Sequence, residues 1–367
     1  MKKPELLAPA GSFEKAKTAF LYGADAVYMG TSNLSLRTRV DVQDDDLYKT
    51  IEYAHSIGKK VYVPINIYAR DNMYEAIEKQ AKILNELKAD GAIVSDGGVL
   101  EAIKEHAPNL EIHISTQANT VSYHTCNFWY KNGAKRIILA RELNKEEIKE
   151  IMANKPSDLS IEMFVHGAVC YGYSGRCHLS DFLSNRMANL GDCSQSCRWA
   201  YNMYIEEKNK PGNLMPVEED KHGTHILSSK DLCLIKELPE LIKMGIDSFK
   251  IEGRLKTEYY LATVINTYRT AIDKCMESPE KYDATEYLKE LEKTKTRGLT
   301  TFYFNDKNNT DFQEYEGKQY SEYGEFAGKI LGVGVKQKGH PKTNVGVDDS
   351  VDPGEQGRSP LRRHLHY

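Results

Sequence analysis

Five of the seven cysteines fall in one stretch, with the spacing Cys170-x6-Cys177-x15-Cys193-x3-Cys197 and then Cys233 after 35 further residues. Thiolates are soft ligands that suit zinc or iron–sulfur clusters. Structural zinc usually draws on paired C-x2–4-C knuckles, and Cys193/Cys197 is the one pair here with that spacing. Irregular spacings drawn from a folded insert fit a [4Fe–4S] cluster better, because four thiolates suffice and no knuckle is needed. Zinc is the alternative. The C-x3-C-x2-C pattern of enzymes that cleave S-adenosylmethionine is absent, since Ala200 stands at its third position. A lone cysteine is often a small buried hydrophobe, but five in one insert are poorly explained that way. The odd cysteine count argues against a disulfide framework and agrees with a reducing, cytoplasmic setting.

The elements that would position these thiols are legible from hydrophobic patterning. Short apolar runs at 6–9, 26–30, 60–66, 91–96, 111–116 and 136–140 read as buried strands, and amphipathic helical stretches lie between them. Ser12 is placed to cap the first helix and Gly58 to close the second. Two more strands follow at 161–166 and 248–253. Eight strands alternating with helices predict an α/β fold, a (β/α)8 TIM-type barrel over about 1–276. A doubly wound sheet is disfavoured because no G-x-G-x-x-G follows the first strand. The connection between strands seven and eight, 167–247, is far longer than an ordinary loop. In a barrel it would lie at the C-terminal face, where sites form. It carries all five cysteines and predicts extra strands at 201–206 and near 224–228. Residues 277–335 form a polar, tyrosine-rich C-terminal extension, and 336–367 lose all periodicity and read as a disordered tail.

Composition narrows the function classes. The chain has 367 residues, 28% charged and 40% hydrophobic, with a net charge of −4. That is globular, neither fibrous nor disordered overall, and it carries no global basic field for nucleic acid. No apolar run is long enough to span a bilayer, and the first residues carry no signal-peptide core, so no membrane partner is expected.

The opening ELLAPAGSFEKAKTAFLYGADAVYMG, the stretch running from Glu162 through His166 to Cys170, and the segment from Tyr173 through Cys177 to Ser180 are long and specific. They resemble the peptidase U32 (collagenase-like) family. Gly191 to Tyr201, Ser229 to Cys233 and Phe249 to Arg254 agree as well. The resemblance covers about 1–335. It implies a TIM-type barrel with an oxygen-sensitive [4Fe–4S] cluster on four cysteines. It also implies oxygen-independent hydroxylation: of a tRNA wobble uridine to 5-hydroxyuridine or of a 23S rRNA cytidine, both with prephenate, or of the ubiquinone ring by a heterodimer. The short barrel without a second large domain is most similar to the tRNA branch, which makes tRNA and a prephenate-like carboxylate the expected partners. A homo- or hetero-oligomer with another family member is a further expectation. Cys170, Cys177, Cys193 and Cys233 match one branch's ligand set, and Cys197 competes through another. The tail from 336 does not resemble the small β-barrel that usually follows.

Barrel strand ends supply further candidates. His166, Lys250 and Glu252 are the catalytic candidates, and Arg37, Arg39, Asn66, Arg141 and Arg254 the substrate-binding ones. A dicarboxylate needs guanidinium forks, because arginine binds carboxylates bidentately. The competing expectation is that the arginines form rim salt bridges with Asp41, Glu142 or Glu252. His166 could serve as a base or be a satisfied structural histidine, and Glu162 could pair with a lysine inside the barrel. Tyr171 and Tyr173 could stack on a base or pack against the insert. Asp96, Gln117 and Glu142 also sit at strand ends, whereas His222 and His225 read as solvated. Two other functions compete with the hydroxylase. One is a collagenase-like peptidase with a Cys170–His166 pair, although H-E-x-x-H and G-x-S-x-G are both absent. The other is a non-catalytic iron–sulfur partner subunit.

Overall fold

The structure, a computed structural model, describes residues 2–31, 34–35, 44–199, 201, 203–206, 208–209, 211–212, 214–217, 229–294 and 296–307. The expected (β/α)8 barrel is present. Its strands are β1 (Glu5–Ala10), β2 (Ala26–Met29), β3 (Lys60–Ile65), β4 (Gly91–Val94), β5 (Glu111–Ile114), β6 (Arg136–Ile138), β7 (Ser160–Ala168) and, last in the barrel, β11 (Ser248–Ile251). All pair in parallel in chain order, and β11 closes the cylinder by pairing with both β1 and β7. The helices between them are α1 (Phe13–Leu21), α2 (Asp44–Ser56), α3 (Tyr74–Glu86), α4 (Gly97–His106), α5 (Tyr123–Lys131) and α6 (Lys145–Asn154). Ser12 caps α1 as expected, its hydroxyl accepting from the Lys15 amide. Asn144 and Glu147 form a reciprocal capping box on α6, which fixes the turn carrying Arg141 and Glu142.

The crossover after β7 holds α7 (Leu179–Ser184), an antiparallel hairpin of β8 (Met203–Glu206) and β9 (Leu214–Val217), and then β10 (Asp231–Cys233). The expected strand at 201–206 is thus β8, and the one near 224–228 lies outside the described residues. β10 runs antiparallel to the end of β7, with Cys233 opposite His166. After it come α8 (Leu238–Met244), β11 and the 20-residue α9 (Glu258–Glu277). α9 buries Leu261, Val264, Ile265, Tyr268 and Ile272, a three- and four-residue stripe against the barrel.

The extension beyond 276 is tied down. It forms α10 (Thr285–Glu292) and β12 (Leu299–Thr300), and β12 pairs with β10. Arg297, 1% exposed, donates to the Ser229 carbonyl at 2.6 Å and to Asp231 at 2.6 Å. The Lys145 amide then donates to the Phe304 carbonyl, which brings the segment back over the start of α6.

The barrel interior is charged. Arg136 donates to Glu5 at 2.6 Å and to Glu162 at 3.0 Å, and Lys250 donates to the other Glu162 oxygen at 2.8 Å. Ser248 and Tyr62 also donate to Glu5. Glu162 is fully buried. Burial pushes its carboxyl up, but Lys250 and Arg136 outweigh that and hold it below the usual carboxylate range.

Candidate functional site

The crossover folds over the C-terminal ends of the strands. The Tyr68 amide, after β3, donates to the Asn189 carbonyl. Arg176 Nε donates to the Gln117 carbonyl after β5 at 3.1 Å. Glu142, after β6, accepts from the Ser174 hydroxyl at 2.9 Å and the Ser174 amide at 2.5 Å. Ser174 itself takes a left-handed φ of 47°, which this double clamp holds in place. Glu142 is therefore a brace for the loop between Cys170 and Cys177. Gly172 lies in the same loop, and a Cβ there would stand 2.9 Å from Cys177 Cβ, so only glycine lets the chain fold back so closely.

The braced loop gathers thiols. Burial pushes the Cys197 thiol up, and Cys170, Cys193 and Cys177 each push it further, while Arg198 opposes them. Cys170, Cys193 and Cys177 thus each lie within electrostatic reach of Cys197. Asn189 holds Cys177 from both sides, accepting from its amide at 3.3 Å and donating to its carbonyl at 3.0 Å. The Gln195 amide points at Cys193 Sγ at 3.4 Å. The Ser180 hydroxyl accepts from the Ser194 amide, and Arg198 donates to the Val169 carbonyl. All seven cysteines are free thiols.

Cys233 is elsewhere. It is 6% exposed on β10, its Sγ lies 3.8 Å from the Tyr268 hydroxyl, and burial pushes its thiol up to about 11. Cys197, the competitor for the expected set, lies near the other three, whereas β10 aims Cys233 at α9. Among the described residues no group of three or more His, Cys, Asp or Glu side chains could hold a metal ion. A four-iron cluster is a larger body with one thiolate at each iron, so its ligands stand further apart. Thiols gathered around Cys197 are soft donors of the kind it takes.

Of the two expectations for His166, the satisfied structural histidine fits its surroundings. A register shift in the β7–β11 pairing sets Lys250 opposite Phe164 but Ile251 opposite His166. The strand alternation is thereby reversed. Glu162 and Phe164 face the barrel's charged groups, whereas His166 turns outward to α9. Its Nδ1 lies 3.5 Å from the Tyr268 hydroxyl, and burial pulls its pKa down to about 4. Gly167, φ 106°, completes the irregularity, and a Cβ there would meet the Glu252 carbonyl at 2.4 Å. Lys250, the second catalytic candidate, is 4% exposed and committed to Glu162, which is the lysine pairing foreseen for that glutamate. Asp96 caps α4 and is structural.

The remaining candidates surround the barrel mouth. Arg141 lies 5.4 Å from the Phe164 ring, Arg254 lies 5.6 Å from the Tyr28 ring, and Lys250 touches both rings. Gly30 makes room for Arg254, since a Cβ there would be 2.9 Å from its Nη1. Arg141 Nε is buried with no hydrogen-bond partner among the described residues. Glu252 accepts from the Tyr28 hydroxyl at 3.1 Å, and Asn66 donates to Gln117 at 3.1 Å and Ser115 at 3.3 Å. No salt bridge of Arg141 to Glu142 is among the described contacts; Glu142 braces Ser174 instead. Arg37, Arg39, Asp41, His222 and His225 lie outside the described residues. Beside Cys170 opens a cleft of about 420 Å³ that also takes in Tyr171, Tyr173, Phe302 and Tyr303. The part played by 302–303 was not read from the sequence; the aromatic run TFYF at 301–304 was the available signal.

A parallel barrel whose mouth carries two aromatic-backed arginines beneath a thiol-bearing crossover defines the class of protein. The chain belongs to peptidase family U32, whose model matches residues 11–314. It is similar to "tRNA hydroxylation protein P" of Escherichia coli, 39% identical over 96% of this chain and 86% of that one. "tRNA hydroxylation protein P1" of Bacillus subtilis is 39% identical over 90% and 78%. The "23S rRNA 5-hydroxycytidine C2501 synthase" of Escherichia coli is 35% identical over 82% of this chain and 45% of its own. A solved structure named as a U32 peptidase aligns at 15% identity and a TM-score of 0.41, over 68% of this chain and 93% of that one. No helix among the described residues is long and apolar enough to cross a membrane.

Proposed function

We propose that this chain is an iron–sulfur enzyme that hydroxylates a base of tRNA, the wobble uridine, without dioxygen and with a prephenate-like dicarboxylate as donor. The observation that carries the RNA hydroxylase reading is similarity at 39% identity, over 90% or more of the chain, to two proteins named for tRNA hydroxylation. Cys170, Cys177, Cys193 and Cys197 would hold the [4Fe–4S] cluster, which supplies electron-transfer or Lewis-acid chemistry when bound. Arg141 and Arg254 would bind the donor's carboxylates. Their guanidinium planes lie by Phe164 and Tyr28, which limits their freedom before a ligand arrives. The unpartnered Arg141 Nε supports that role, since a buried donor left without an acceptor is costly. Asn66, fixed by Gln117 and Ser115, is positioned to orient the same ligand.

The peptidase reading needs a base beside Cys170, and its candidate, His166, faces Tyr268. The direct test compares tRNA nucleosides, by mass spectrometry, from cells with and without the gene. The 5-hydroxyuridine derivatives should vanish in the deletion and return with the gene. Unchanged levels would overturn the proposal.

A further inference from the structure

The cleft beside Cys170 is of small-ligand size, about 420 Å³ against a usual range of about 300–1,000 Å³. Two distant parts of the chain build it. The start of the crossover brings Tyr171 and Tyr173, and the segment after β12 brings Phe302 and Tyr303. The phenol groups of Tyr171 and Tyr173 lie within electrostatic reach of Tyr303. Burial pushes the Tyr303 phenol up, and Glu142, Tyr171 and Tyr173 push it further. The Phe302 and Tyr303 rings stand 4.4 Å apart. Phe302 takes a left-handed φ of 52°, a backbone state that a bulky residue seldom adopts. Tyr171 is 46% exposed and Tyr173 54%, so their ring faces are open to solvent rather than packed away in the insert.

A ligand for this cleft must be flat, because several rings converge, and must also offer polar edges. Glu142, which also braces Ser174, lines the cleft with Ser229 and Lys307, so carboxylate, hydroxyl and ammonium groups face a ligand that both donates and accepts. Its reacting edge must reach Cys170, where the thiol group begins. A paired base inside a helix is inaccessible to such a cleft, whereas an unstacked base in a loop is the usual partner of exposed aromatic side chains.

We propose that this cleft receives a single unstacked pyrimidine of an RNA loop, stacked among Tyr171, Tyr173 and Tyr303, with its edge turned toward Cys170. This rests on the RNA hydroxylase reading and adds the place where the base lies. It separates two subsites: the barrel mouth for the small carboxylate and the aromatic cleft for the base.

The test uses the full chain, purified anaerobically, and an anticodon stem-loop RNA with 4-thiouridine at the wobble position. Irradiation should cross-link that base to residues 171–173 or 302–303, read by mass spectrometry of the RNA-bearing peptides. Tyr171→Ala and Tyr173→Ala should each weaken binding of the same RNA about 5- to 150-fold, and Tyr173→Phe should stay within about 2-fold of wild type. Cross-links that map only elsewhere, with the RNA bound and the gene still restoring 5-hydroxyuridine to a deletion strain, would overturn the cleft and leave the hydroxylase reading standing. If the gene restores no hydroxylated nucleoside and the RNA does not bind, both fall together. Because the cross-link is read on the wild-type chain, its result does not depend on whether a tyrosine variant folds.

Discussion

Two polar regions of this barrel are built on opposite principles. Inside the cylinder, Glu5, Arg136, Glu162 and Lys250 consume one another's charge in a closed set of ion pairs. Over the mouth, four thiols of one kind gather and raise the cost of ionising Cys197. The first arrangement pairs carboxylates with cations and serves the fold, with Arg136 Nε alone of its groups lacking a partner among the described residues. The second gathers soft donors of one kind, and on the reading proposed above it serves a bound cluster. Paired charges mark architecture here, and gathered thiols mark the place proposed for a ligand.

The sharpest way to break this contrast is a pair of cysteine substitutions. Cys197→Ser should abolish the iron content and visible absorbance of the anaerobically purified protein, and with them nucleoside hydroxylation. Cys233→Ser should leave the iron in place and cost about 1–3 kcal/mol of stability, because it puts a hydroxyl into the core beside Tyr268. The reverse outcome would return Cys233 to the ligand set, and stoichiometric zinc in place of iron would remove the cluster altogether.

The interior half of the contrast is tested by Glu162→Ala. It leaves Arg136 and Lys250 buried without their shared carboxylate. Urea denaturation should show a loss of about 3–5 kcal/mol. A loss under about 1 kcal/mol would mean that water or rearranged partners already screen this network, and that the interior is no more closed than the mouth.

The barrel was legible because its strands are short, mostly apolar runs separated by amphipathic helices, several with side-chain caps. Periodicity and turn chemistry report such elements directly. Glu162 could be read as a lysine's partner from its place early on a strand. His166 could not be placed, since the sequence does not announce the irregularity that turns β7 over between Phe164 and His166. Cys233 parts from the other thiols for a related reason: spacing counts residues along the chain, but β10 runs antiparallel to β7 and carries it into the core. The aromatic cleft escaped because its two walls are about 130 residues apart and meet through tertiary contacts, the pairing of β12 with β10 and the anchoring of Phe304 at the start of α6.

His166 offers a pH test of its outward position. Its folded pKa is about 4, below the ordinary 6.5, because burial disfavours the imidazolium. Between those values the unfolded chain binds the extra proton and the folded chain does not. The stability contribution is therefore fully present above about pH 6.5 and is lost as pH falls toward 4, by about 3 kcal/mol in all. Replacing the ring with an uncharged one, His166→Phe, should flatten that part of the stability–pH curve. An unchanged slope would mean that other groups set the acid limit, and that His166 is more solvated than its contact with Tyr268 implies.

The mildest effect is expected at Arg141, where the mouth meets the fold. Its guanidinium stands near Phe164, and its buried Nε lacks a partner among the described residues, so the fold gains little from its charge. Arg141→Gln keeps much of the side-chain bulk and removes the cationic fork. The melting temperature should hardly move, and the concentration of carboxylate donor needed for half-maximal hydroxylation should rise roughly 10- to 100-fold, the value of one charge-assisted pair. Arg141→Lys should recover only part of the loss, because an ammonium cannot grip a carboxylate in two places. If the variant instead melts early with an unchanged donor requirement, Arg141 belongs with the closed interior network, and the carboxylate must be sought at Arg254 alone.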